Sequence, residues 1–117
     1  MEKDDAIYVE DIVKACQKII EYTEDFDADD FIGDSLTQDA VLRNFEVIGE
    51  AANKLPWKFV KTYPKFPIKD AIAMRNKVIH EYKNVDLDIV WDTVKKDIPR
   101  LLLISKKILK DLDSRTK

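Results

Sequence analysis

The feature that most constrains this chain is an apolar seam near its end. Val90, Val94, Ile98, Leu101, Leu102, Ser105, Ile108, Leu109 and Leu112 recur at intervals of three and four residues. A helix turns once every 3.6 residues, so this spacing puts them along one face and the intervening charges elsewhere. A face of that length has to be covered by other helices. Pro99 falls inside the seam. It lacks a backbone donor and crowds the preceding turn, so a kink is expected there rather than a stop.

The upstream periodicities supply the covering helices. Ile12, Val13, Cys16, Ile19 and Ile20 predict an amphipathic helix over about 5–23. The acidic stretch TEDFDADDFIGD that follows reads as a loop or a single helical turn, and its charge would repel phosphate. Ser35 and Gln38 have capping-box spacing at the start of the next helix. Leu42, Phe45, Ile48, Ala52 and Leu55 mark its face as far as Pro56. Gly49 inside that helix costs about 1 kcal/mol relative to alanine, a loss that close approach of another helix would offset. Trp57 to Tyr63 fits a short helix before Pro64 and Pro67, and Ile68 to about Glu81 fits a longer one. Asp86 is suited to cap the final helix.

Two glycines and four prolines in 117 residues leave little material for strands and turns. The expected fold is all-α, one domain over 1–117. It is a small antiparallel up-and-down bundle of four main helices with one or two short ones.

Charge and composition exclude several functions. A net charge of −3 gives no global basic field of the kind a general nucleic-acid binder carries, so any such role needs a local patch. Cys16 is alone, which rules out an internal disulfide, and no Cys/His set suggests zinc. No metal and no cofactor are expected. The charged N-terminus lacks an apolar signal region and nothing approaches a membrane span, so a soluble cytoplasmic protein is expected.

The stretch MRNKVIHEY, residues 74–82, holds the chain's one histidine. Asn76 and His80, four apart, share a helix face, and Arg75 and Tyr82, seven apart, share a neighbouring one. Arg75 and His80 stand roughly 140° apart on a straight helix, so one helix does not focus both on a single atom. The arginine's reach, a fraying helix end or a second copy of the helix would close that gap. A solvated arginine, a helix-terminal histidine favoured by the macrodipole and a tyrosine covering the core would give the same spacing. Spacing alone does not separate the two.

MRNKVIHEY resembles the Arg-x(4)-His-x-Tyr signature of the HepT-like proteins, a branch of the HEPN superfamily. The polar Asn76 directly after the arginine also fits. RNFEVIGEAANKL, residues 43–55, resembles that family's Ile-Gly-Glu-Ala helix, and DIVWDTVKKDIPRLL resembles its last helix. The resemblance covers most of the chain in the right order. It implies a homodimer in which two copies of Arg75, Asn76 and His80 meet across one cleft. It implies the toxin of a toxin–antitoxin pair, a metal-independent endoribonuclease. Its partner would be a minimal nucleotidyltransferase antitoxin that transfers AMP from ATP to the motif tyrosine, here Tyr82.

Those residue types suit RNA cleavage. RNA carries its own nucleophile, the 2′-hydroxyl. An imidazole titrating near neutrality takes that proton or gives one to the leaving 5′-oxygen. Arg75 would stabilise charge on phosphorus with its planar fork, and Asn76 would orient His80 or donate to phosphate. AMP on Tyr82 would add bulk and negative charge beside them. Lys77 and Lys83 flank the motif as candidate RNA contacts. Lys58, Lys61, Lys65 and Lys69, interleaved with Trp57, Phe59, Tyr63 and Phe66, are candidates for phosphate contact and base stacking, or else for solubility and core. Two other readings compete. One is a non-catalytic subunit that grips nucleotide or phosphate for a nucleotidyltransferase. The other is a plain dimerisation module with the Leu/Ile seam as its interface.

Overall fold

A computed structural model describes the backbone of residues 2–81 and 84–116. Among these residues there are six α-helices and no strand. Four are long: α1 (Glu2–Thr23), α3 (Ser35–Asn53), α5 (Ile68–Glu81) and α6 (Leu87–Thr116). Two are short: α2 (Ala28–Ile32) and α4 (Trp57–Thr62).

Local chemistry sets the boundaries. Asp27 and Asp30 cap α2 reciprocally, each carboxylate accepting from the other's backbone N–H at 2.8 and 3.0 Å. The expected Ser35–Gln38 box does not form. Asp34 is the N-cap of α3, its Oδ1 accepting from Thr37 N–H at 3.0 Å, and Ser35 is already helical. A charged acceptor one residue earlier takes the capping position. Gln38 instead reaches back, its Nε2 donating to the carbonyls of Phe31 and Ile32 at 2.9 Å each, which ties the end of α2 to the start of α3. Asp86 caps α6 as expected, accepting from Asp88 N–H at 2.9 Å. Pro99 lies within α6, which continues past it to Thr116.

Helix α1 is the centre of the fold, packed against both α3 and α6, while α5 packs on the far side of α3. Val9, Ile12, Cys16 and Ile19 of α1 are fully buried. They meet the seam of α6, where Val90, Val94, Ile98, Leu101, Ser105, Ile108 and Leu112 are buried and Leu102 and Leu109 half-buried. Burying each such aliphatic side chain contributes about 1.5–3 kcal/mol. The chain's own α1 therefore occupies the seam, and the reading of that seam as a dimer interface is overturned. At one end of the fold, Lys54 at the end of α3 lies 5.7 Å over the ring of Tyr8 near the start of α1. At the other, Phe31 of α2 stacks on Trp91 of α6 at 5.2 Å. Among the described residues, helices α5 and α6 are not a closely packed pair, and hollows lie between α6 and the segment leading from α4 into the first turn of α5.

Candidate functional site

Pro67, whose carbonyl accepts from Ala71 N–H at 3.0 Å, leads into α5. The buried Ala71 and Val78 turn α5 toward the core. Arg75 lies between them on the side facing α3, and Gly49 is what it meets there. A Cβ built on Gly49 would stand 2.1 Å from Arg75 Cβ, 2.9 Å from Arg75 N and 3.0 Å from Ala71 O. No side chain fits that gap. The glycine's helix cost is thus offset by contact between α3 and α5 backbones, as its position in the sequence suggests.

The contact seats the arginine. The Arg75 side chain is one-third exposed, yet its Nε is buried and has no hydrogen-bond partner among the described residues. Glu50 Oε1 lies 4.0 Å from that Nε, close enough for charge attraction and too far for a hydrogen bond. One edge of the guanidinium thus faces α3 beside a carboxylate, and the partly exposed remainder keeps donors for a ligand. Glu50 is the residue that sequence reasoning missed. Its signal was present, an acid next to the one glycine inside a helix, but the arginine opposite it lies on another element.

Asn76 is exposed on the next position of α5. His80 and Lys77 lie on α5 by their backbone, and their side chains fall outside the described residues, as do Tyr82 and Lys83 altogether. The structure therefore brings Arg75, Asn76 and Glu50 to one region of the surface. Cys16 takes no part: burial pushes its thiol up to about 12, so it stays protonated at neutral pH.

The lysine-rich segment divides in two. Phe59 and Phe66 are buried and pack edge-on at 5.5 Å, with Tyr63 tilted against Phe59 at 5.0 Å. Neither phenylalanine is available for stacking a base, so of the two readings of this segment's aromatics these two take the core one. Trp57 is 69% exposed, with Lys61 Nζ 5.7 Å from the centre of its ring. Lys58, Lys61, Lys65 and Lys69 are all exposed.

Comparison with known proteins matches residues 12–108 to the model of a family described as ribonuclease HepT-like. The chain is 44% identical over 94 residues to a protein of Thermococcus cleftensis named "Probable ribonuclease HepT", a span of 80% of this chain and 86% of that one. It is 39% identical over 113 residues to a Methanocaldococcus jannaschii protein named as a candidate RNase, covering 97% of each. A second protein of that organism, named for both a gamma-glutamylcyclotransferase and a candidate RNase, is 43% identical over 113 residues. The match takes in 97% of this chain and 51% of that relative, so the chain spans about half its length. No solved structure matches the chain.

Proposed function

The chain belongs to the ribonuclease HepT-like family, and from that premise we propose that it is the toxin of a toxin–antitoxin pair, a metal-independent endoribonuclease of the cytoplasm. The observation that carries this reading is the seat of Arg75. It is held against α3 by Gly49, beside Glu50, inside the segment that the family match covers. A guanidinium with one edge buried and the rest open is preorganised to receive charge that develops on phosphorus.

In this mechanism His80 acts as general base or acid at the 2′- and 5′-oxygens, and Asn76 orients it or donates to phosphate. The helical bundle dimerises, so that two copies of α5 line one cleft and the roughly 140° between Arg75 and His80 on a single helix is bridged across the pair. Lys77 and Lys83 hold the flanking phosphates. The antitoxin is a minimal nucleotidyltransferase that attaches AMP to Tyr82, two residues beyond His80, and closes the cleft by bulk and charge.

The test is incubation of the purified protein with labelled structured RNA in EDTA, beside His80→Ala. Cleavage leaving 2′,3′-cyclic phosphate ends, absent from the variant, is the expected result. No cleavage by protein of unmodified mass would replace this reading with that of a phosphate-gripping partner subunit. A mass increase of whole AMP units, mapped to Tyr82, would support the antitoxin part of the proposal.

A further inference from the structure

Between the 58–67 segment and the C-terminal half of α6 runs a furrow of three adjoining hollows. The first and second share Thr62 and Tyr63, and the second and third share Lys65 and Ile104. The α6 wall is a helical stripe: Arg100, Ile104, Lys107, Asp111 and Arg115 fall at steps of four, three, four and four. Cations thus stand along about 22 Å of α6, and Lys58 and Lys65 stand on the opposite wall.

The middle hollow differs from its neighbours. It measures about 370 Å³, within the ordinary size range of small-ligand sites. Tyr63, Ile104 and Ile108 give it an apolar lining with the buried Phe66 behind them, Lys65 and Lys107 are its charged residues, and no carboxylate lines it among the described residues. The hollows on either side each bring in acids: Asp5 in the first, Asp70 and Asp97 in the third. Asp111 stands nearby, accepting from the Tyr63 hydroxyl and from Arg115 Nε. In a chain of net charge −3, this apolar hollow is lined by two cations and, among the described residues, by no acid.

We infer that this furrow is a second RNA-holding site, in which the middle hollow takes one unpaired base and Lys65 and Lys107 hold the phosphates beside it. The inference rests on the ribonuclease reading for its choice of ligand. An apolar hollow with the Tyr63 ring in its wall, between two exposed ammonium groups, matches an unstacked base flanked by phosphates. A duplex hides its bases and would not fill the hollow. Acids at both ends keep the footprint short. Its role is to hold a single-stranded stretch of the substrate away from Arg75 and His80.

The test uses a labelled single-stranded RNA of about a dozen nucleotides, 2′-O-methylated throughout so that it has no nucleophile and cannot be cut. Binding by fluorescence anisotropy is compared for the wild-type protein, Lys65→Glu/Lys107→Glu and Lys65→Arg/Lys107→Arg. Both lysines are exposed, and unchanged thermal melting verifies the fold. The Glu variant should bind about tenfold more weakly or worse, with a salt dependence shallower by about 1.4 in log–log slope; the Arg variant should keep both. Ile104→Trp, which fills the hollow without changing charge, should weaken binding with the slope unaltered. Affinities of the Glu and Trp variants within about twofold of wild type would overturn the proposal, as would equal affinity for the duplex or for an acidic polyglutamate peptide. Cleavage of unmodified RNA, measured in parallel, reports separately on the nuclease reading.

Discussion

Gly49 decides where Arg75 sits, because the space its missing side chain leaves is filled by the arginine's own Cβ. Backbone and Cβ atoms cannot swing aside as the far end of a long side chain can. Gly49→Ala should therefore push α3 and α5 apart. The expected cost is about 1–3 kcal/mol, the range for overpacking a tight contact, read as a lower thermal midpoint. RNA cleavage per folded molecule should fall as well, since the arginine loses its seat. Unchanged melting and activity would show that α5 tolerates the shift and that the close contact does not matter. The arginine itself was legible as a candidate from its motif. Glu50 was not, because its significance comes from a partner twenty-five positions along the chain.

At the scale of the element, the helices were readable nearly to their ends, while their caps depended on which of several polar residues reached the N-terminus. Asp34 holds that position at α3. Asp34→Ala should cost about 1 kcal/mol in chemical denaturation, whereas Ser35→Ala should change stability little. The reverse order would restore Ser35 as the cap. A second element-level device joins the α4–α5 connection to the end of α6. The Tyr63 hydroxyl donates to Asp111 Oδ2, and Arg115 donates to the same oxygen at 3.0 Å. These contacts, the tyrosine's first, hold the Asp111 carboxyl below its usual 3.8. A carboxyl depressed in the folded state adds stability above its ordinary pKa and loses it as pH falls through the folded value. Thermal midpoints measured below about pH 4 should fall less steeply in Asp111→Asn than in wild type. Parallel acid limbs would mean the contact persists in the unfolded chain or contributes nothing.

At the scale of the whole molecule, α1 sits between α3 and α6, and the packing leaves a furrow open between the 58–67 segment and α6. The Cα envelope measures 47 × 29 × 19 Å, so much of the surface lies on two broad faces. Among the described residues no helix is long and apolar enough to cross a membrane. With the α6 seam consumed by α1, the proposed dimer would form through other surface, and its cleft requires that surface to include α5. Light scattering should then give the mass of two chains for wild type and for Arg75→Lys alike. RNA cleavage should be largely lost in the lysine variant, which keeps the charge but not the planar fork. A monomer in solution would remove the second copy of α5 from the mechanism, and full activity of Arg75→Lys would remove the bidentate role.

The sequence by itself determined that this chain is helical, roughly where each long helix runs, and which helix carries Arg75, Asn76 and His80. Those properties follow from short-range periodicity and from residue chemistry, which act within a few positions along the chain. Only the tertiary structure decided that Glu50 faces Arg75, that Phe59 and Phe66 are core rather than stacking surface, and that the α6 seam is filled by α1. Each of those depends on which faces meet, and pairing between distant segments is set by the best joint packing of all the helices rather than by any one of them.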